Sequence, residues 1–96
     1  MKSLEQIQSI LSSRKKELFQ KYKVNDIAIF GSFSRGEANA QSDLDLLVDV
    51  PPSIGIEFID LADELEQMIG IKIGLVSKRG LKKPYFNEIK EDLIYV

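Results

Sequence analysis

Residues 26–50, DIAIFGSFSRGEANAQSDLDLLVDV, decide the fold because two short apolar runs enclose a polar loop that contains two glycines. The run 26–30 predicts a short, largely buried strand that ends at a Gly-Ser pair. Residues 33–41 are small and polar, so we expect a loop there with one turn of helix. The run 43–50 predicts a second strand, because apolar and acidic residues alternate along most of it until two prolines stop it.

Helical patterns flank this stretch on both sides. Over about residues 4–22, apolar residues recur at the spacing of an amphipathic helix, and Ser3 with Gln6 forms a capping box at its start. Over about residues 54–69 the same spacing predicts a second long helix, with Gly70 in the position of a C-terminal cap. We expect both apolar stripes to pack in the core.

The rest of the chain predicts three short elements. Residues 71–76 predict a third strand, and a basic turn at residues 77–80 leads to a short helix from Pro84 to about residue 91. Residues 93–96 predict an edge strand. This order of elements predicts an α+β fold, an α/β sandwich whose helices cover mainly one face of a small sheet. A length of 96 residues predicts a single domain, residues 1–96.

Composition excludes several classes of site. The chain has no cysteine and no histidine, which rules out disulfides, Cys/His zinc sites and Ser-His-Asp catalysis. Any metal must therefore have oxygen ligands, as magnesium, manganese and calcium prefer. The net charge of −2 argues against direct binding of long nucleic acids by charge alone. Without a long apolar run or a secretory signal pattern, we expect a cytoplasmic protein that makes no membrane contact.

The residues that carry chemistry are Gly31-Ser32 and, after ten intervening residues, Asp43-Leu44-Asp45. Gly31 allows the backbone to approach a ligand closely, and Ser32 offers a hydroxyl and an amide to a phosphate. Asp43 and Asp45 are two apart on a predicted strand, so their carboxylates point to one face at a spacing of roughly 6.5–7 Å. Two carboxylates placed in this way can hold a divalent ion that carries a triphosphate.

The stretch GSFSRGEANAQSDLDLLV resembles the signature of the polymerase-β-like nucleotidyltransferase superfamily. The likeness is greatest to its smallest members, the minimal nucleotidyltransferases (MNT proteins, or MntA-type antitoxins), and it covers nearly the whole chain. Their motif is Gly-Ser, ten residues and Asp-x-Asp, usually with Arg-Gly in the spacer. The residues that match it here are Gly31, Ser32, Arg35, Gly36, Asp43 and Asp45, and Ser42 also matches. The resemblance implies the polymerase-β-like nucleotidyltransferase fold, with a small mixed sheet.

The resemblance also implies roles for these positions. Asp43 and Asp45 are implied to be catalytic and to bind Mg²⁺ or Mn²⁺, with ATP as the substrate. Contacts to the nucleotide are implied for Gly31, Ser32, Arg35 and Ser42. The family reaction transfers a nucleoside monophosphate, commonly AMP, to a hydroxyl and releases pyrophosphate. In the MNT group the acceptor is a tyrosine on a helical HEPN-type toxin, and modification silences that toxin.

Two positions leave alternatives open. Arg35 also fits a surface arginine that pairs with Glu37 or with a backbone carbonyl. Gly74 stands where the family has a third carboxylate, which completes the site of the ion that activates the attacking hydroxyl. Asp49 does not replace that carboxylate, because it lies roughly 13 Å along the strand from Asp45. We therefore expect catalysis to suffer more than nucleotide binding.

Three functions remain consistent with the sequence. The first is an active nucleotidyltransferase that adenylylates a partner toxin, which the intact Asp43/Asp45 pair favours. The second is an antitoxin that neutralises a HEPN-type toxin, or another helical partner, by binding with little catalysis, which Gly74 favours. The third is the catalytic subunit of a larger transferase. Apolar residues in the tail and in the helix segment 54–59 predict a contact surface for a partner.

Overall fold

The computed structural model describes residues 1–96, which form four helices, one 3₁₀ turn and a four-stranded sheet. The elements follow the predicted order, with the short turn of helix inside the polar loop. They are α1 (Leu4–Tyr22), β1 (Asp26–Phe30), α2 (Ser32–Arg35), β2 (Leu44–Asp49), α3 (Glu57–Ile69), β3 (Ile73–Ser77), α4 (Lys83–Ile89), the 3₁₀ turn Lys90–Asp92 and β4 (Ile94–Tyr95).

The sheet has the strand order β3-β2-β1-β4 and is mixed. The pairs β1–β2 and β1–β4 are antiparallel, whereas β2 and β3 run parallel. The parallel pair requires a crossover, and α3 supplies it. The α+β fold with a small mixed sheet is therefore confirmed, as is the terminal edge strand, which pairs with β1 through Ala28–Tyr95 and Ile29–Ile94.

One face of the sheet packs against α1 and α3 to form the main core. Alternate residues of each strand point to this face, and they pack against the apolar faces of the helices that the sequence predicts. The buried cluster includes Ile27 and Ile29 of β1, Leu44, Leu46 and Val48 of β2, and the helix residues Ile7, Leu11, Leu18, Tyr22, Leu61, Leu65 and Ile69. Ala28 and Leu47 are also buried and, by the same alternation, point to the opposite face. Asp45 belongs to that second face.

The ends of the elements show where local geometry overrides hydrophobic spacing. The capping box that starts α1 is present, with Ser3 and Gln6 bonded to each other's backbone. The helix predicted from residue 54 begins only at Glu57. Gly55 takes a positive φ of 62°, so the residues just before Glu57 form turns instead of helix. Asp43 lies one residue before β2 instead of inside it. None of the four helices combines the length and the hydropathy of a membrane span.

The C-terminal residues are fastened to the sheet next to β1. Val96 donates its amide to the Ile27 carbonyl at 3.0 Å. The Lys15 ammonium donates to the Val96 carbonyl at 2.8 Å, which ties the last residue to α1 as well. These bonds fix the path of the 3₁₀ turn that precedes β4, and this path brings Asp92 beside the loop after β1.

Candidate functional site

The Asp45 carboxylate occupies space that is free because Gly31 and Gly74 have no side chains. In the sheet, Asp45 lies opposite Phe30 of β1 on one side and opposite Gly74 of β3 on the other. A Cβ atom at Gly74 would lie 2.7 Å from Asp45 Oδ1, and one at Gly31 would overlap Asp45 Oδ2. The carboxylate therefore lies against both glycines, and Gly74, which stands where the family has a third carboxylate, is the strand neighbour of Asp45.

Gly31 ends β1 and starts α2 with a backbone conformation that other residues rarely adopt. Its φ of 75° and ψ of −151° lie in a region that is almost restricted to glycine. This conformation turns the chain so that Ser32 begins α2 at the same end of the sheet as Asp45. Ser32 is half-buried, and its hydroxyl is in none of the side-chain hydrogen bonds, so it is available to a ligand.

Asp43 and Asp45 are two neighbouring carboxylates with no partner in the protein. Neither forms an ion pair, and neither accepts a side-chain hydrogen bond. Burial raises the pKa of Asp45, the negative charge of Asp43 raises it further, and the positive charge of Arg35 acts in the opposite direction. Two close negative charges without an ion-pair partner are the setting in which a bound cation gives a large stabilisation.

The donor set fits one magnesium ion that arrives with a nucleotide. Magnesium keeps oxygen ligands and is commonly bound by one or two carboxylates together with substrate phosphates. Asp43 and Asp45 supply those carboxylates, and the free Ser32 hydroxyl lies on the adjoining turn. No group of three or more acidic side chains converges anywhere in the protein. The site therefore lacks the carboxylate that a second ion would need, because Gly74 has no side chain.

The Arg35 guanidinium is held by two carboxylates at the edge of the site. Its Nε donates to Glu37 at 2.9 Å, as the surface-arginine alternative predicts, and its Nη1 donates to Asp92 at 3.0 Å. No protein atom accepts from Nη2, which leaves donors of the guanidinium free. The contact with Asp92 joins residues 57 apart in the sequence. No periodicity or motif relates them, so sequence reasoning missed Asp92.

Ser42 shapes the loop that delivers Asp43. Its hydroxyl accepts from the Asn39 amide at 2.9 Å, and its own amide donates to the Asn39 carbonyl at 3.0 Å. Both Ser42 and Asp43 line a surface cavity of about 870 Å³, whereas Gly31, Ser32, Arg35 and Asp45 do not. The structure thus groups Gly31, Ser32 and Asp45 tightly at one end of the sheet. Ser42 and Asp43 line the cavity, and the positive charge of Arg35 acts on Asp45.

The sequence of most of the chain matches a known family. Residues 11–96 match the family of the nucleotidyltransferase domain, so the chain belongs to that family. The protein adenylyltransferase MntA of Thermococcus cleftensis is 42% identical over 98 residues, an alignment that covers 100% of this chain and 98% of that protein. The predicted membership of the minimal nucleotidyltransferases is thereby confirmed.

Two solved structures support the same fold. A solved "putative minimal nucleotidyltransferase" matches with a TM-score of 0.81 and 28% identity, over 97% of this chain and 95% of that one. A solved toxin–antitoxin with AMP-PNP matches with a TM-score of 0.71, over 86% of this chain and 69% of that one. The second is only 22% identical, so the likeness shows the fold alone.

The raised pKa of Asp45 predicts how stability responds to its removal. The folded state holds the Asp45 proton more tightly than the unfolded chain does, so the charged form destabilises the fold at neutral pH. We expect Asp45→Asn to raise the melting temperature of the metal-free protein at neutral pH. The gain should shrink as pH falls through the raised pKa, where the wild-type carboxyl takes up its proton. Thermal unfolding followed by circular dichroism over a pH series measures this.

Asp63→Asn is the matched control, because Asp63 is exposed on α3 and forms no ion pair. It should leave the melting temperature within the small range of surface substitutions at every pH. A lower melting temperature for Asp45→Asn at neutral pH would mean that the carboxylate has a stabilising partner.

Proposed function

We propose that this protein binds Mg·ATP and transfers AMP to a hydroxyl on a partner protein, as the antitoxin of a HEPN-type toxin–antitoxin pair. One observation carries the proposal, namely the unpaired Asp43/Asp45 pair beside the glycine-dependent turn at Gly31. The proposed catalytic unit is a single minimal domain over residues 1–96. Since the reaction uses ATP and acts on another protein, we propose a cytoplasmic location.

Each residue of the site has a defined part in this reaction. Asp43 and Asp45 hold Mg²⁺, or Mn²⁺, which neutralises the triphosphate and polarises its phosphorus–oxygen bonds. The turn at Gly31-Ser32 offers its hydroxyl and amides to the phosphates, and the free donors of Arg35 add a planar contact suited to phosphate oxygens. Ser42 supports the nucleotide side of the site by fixing the loop before Asp43.

The chemistry is a displacement at the α-phosphorus. The acceptor hydroxyl oxygen forms a bond to this phosphorus while the bond to the bridging oxygen of the β-phosphate breaks, and pyrophosphate leaves. The hydroxyl proton passes to water, since no third carboxylate converges on the site to accept it. Without a third carboxylate, the contribution of a dedicated general base, about 10²–10⁴-fold in other enzymes, would be lost.

A partner protein is supported by relatives and by exposed apolar surface. The 42% identical relative from Thermococcus cleftensis is named a protein adenylyltransferase, and a toxin–antitoxin structure shares the fold. Ile56 and Ile59 at the start of α3 are 77% and 60% exposed. Neighbouring large apolar side chains left in water on so small a protein favour a contact surface.

A second candidate function is neutralisation of the toxin by binding alone. Gly74 favours it, because the position beside Asp45 that could carry another metal ligand has no side chain. Under this alternative the protein keeps the nucleotide site but transfers AMP very slowly. Nucleotide binding is common to both functions, so the two are separated only by transfer.

Binding of Mg·ATP is the first test. We expect calorimetric titration to show binding that requires Mg²⁺ and that the double variant Asp43→Asn/Asp45→Asn loses, because the ion then has no carboxylate ligands. Asp63→Asn removes one acidic charge from α3 without touching the site and should bind as the wild type does. Equal binding by the wild type and the double variant would remove these residues from the proposal.

Substitution of Gly74 separates the enzyme from the binding antitoxin. Gly74→Asp should create or raise AMP transfer to the purified partner on the order of a hundredfold, because it adds a ligand and a base beside Asp45. Without metal it should lower the melting temperature, since its Cβ would crowd Asp45 Oδ1 and three carboxylates would repel one another. Mg²⁺ should restore that loss. Transfer is measured with ATP labelled at the α-phosphate.

Gly74→Asn is the matched control, because it has nearly the same size and no charge. It should crowd Asp45 equally, gain no transfer and show no recovery with Mg²⁺. A robust wild-type rate that Gly74→Asp leaves unchanged would show that another residue already supplies the missing group. Complete absence of transfer in the wild type, together with a stable complex with the toxin, would favour neutralisation by binding.

A further inference from the structure

One contact that the proposed chemistry leaves unexplained joins the C-terminal 3₁₀ turn to α2. Asp92 accepts from Arg35 Nη1 at 3.0 Å, and the Asp92 backbone carbonyl also accepts from the Ser34 hydroxyl. Asp92 therefore binds α2 at two successive residues, one through its side chain and one through its backbone. Together the two contacts hold Asp92 in place relative to α2.

Asp92 differs from the other carboxylate on Arg35 in how firmly it is held. The Glu37 side chain is 63% exposed and lies two residues from Arg35 in the same loop. The Asp92 side chain is only 27% exposed, and it is carried by a turn that the pairing of β4 with β1 anchors. Glu37 moves with the loop, whereas Asp92 ties Arg35 to the sheet.

An arginine on a surface helix has many rotamers, and ordering it to meet a phosphate costs conformational entropy. The bond to Asp92 occupies Nη1, while Nη2 has no protein partner. An arginine that is already ordered, with one side of its fork bound to a fixed carboxylate, loses less entropy when the remaining donors meet a phosphate. We expect this smaller entropy loss to outweigh the repulsion between the Asp92 carboxylate and the triphosphate.

We propose that Asp92 is a positioning residue that orients the Arg35 guanidinium toward the phosphates of the bound nucleotide. The inference rests on the proposed function, because it requires Arg35 to contact phosphate. It makes the C-terminal segment part of the nucleotide site, although that segment lies outside the Gly-Ser and Asp-x-Asp signature.

The sign of the effect distinguishes positioning from simple electrostatics. Asp92→Asn removes a negative charge near the triphosphate, so charge alone would tighten Mg·ATP binding. Positioning predicts the opposite, a dissociation constant about tenfold higher. Glu91→Gln is the matched control, because Glu91 lies in the same 3₁₀ turn, is exposed and forms no ion pair. It removes the same charge and should not weaken binding.

The experiment is a double-variant cycle measured by calorimetric titration with Mg·ATP. The proteins are the wild type, Asp92→Asn, Arg35→Gln, the double variant and Glu91→Gln, each checked for an unchanged circular dichroism spectrum. If Asp92 acts through Arg35, Asp92→Asn weakens binding in the wild-type background and causes no loss of affinity in the Arg35→Gln background, where only the effect of the removed charge remains. Asp92→Glu should recover part of the affinity.

Two results would overturn the inference alone. One is wild-type affinity in Asp92→Asn, and the other is an equal loss of affinity in both backgrounds, which indicates a structural role independent of Arg35. A wild-type protein that binds no Mg·ATP would overturn the proposed function and this inference together. The wild type therefore tests the proposed function, whereas Asp92→Asn, with and without Arg35→Gln, tests the inference.

Discussion

The fit of the Asp45 carboxylate between two glycines is the constraint on which the site depends. The carboxylate lies in the middle of three paired strands, where side chains from both neighbours would normally fill the space. Gly31 leaves one side open and also makes the turn that starts α2, while Gly74 leaves the other side open. Because the oxygens lie against Gly31 and Gly74, they are partly desolvated, and this burial raises the pKa of Asp45.

The same arrangement links function to a cost in stability. Asp43 and Asp45 repel each other and have no partner in the protein, so a natural chain keeps them only if something else benefits from the charge. A metal-bound nucleotide would supply the missing positive charge. Gly74 leaves room for the Asp45 carboxylate but supplies no metal ligand of its own. The proposed recognition of a nucleotide and the proposed weakness in catalysis would therefore have one physical origin.

Much of this architecture could be predicted from the sequence, because periodic patterns and short motifs report local structure. The bounds of α1 and β1 agree with their apolar patterns. The start of α3 was predicted three residues too early, because the apolar spacing continues into a turn that Gly55 controls. The Arg35–Asp92 pair could not be predicted, since only the pairing of β4 with β1 brings two distant segments together.

The most direct measurement is paramagnetic broadening in the nuclear magnetic resonance spectrum of the ¹⁵N-labelled protein, titrated with ATP and a trace of Mn²⁺. The account predicts that amide signals of Gly31, Ser32, Asp45 and Gly74 broaden first, since these residues surround one end of β2. Signals of the first turn of α3, which follows the opposite end of β2, should remain sharp at the same Mn²⁺ concentration. Broadening centred on the exposed acidic residues of α3, or spread evenly over the surface, would contradict a metal–nucleotide site at Asp43 and Asp45.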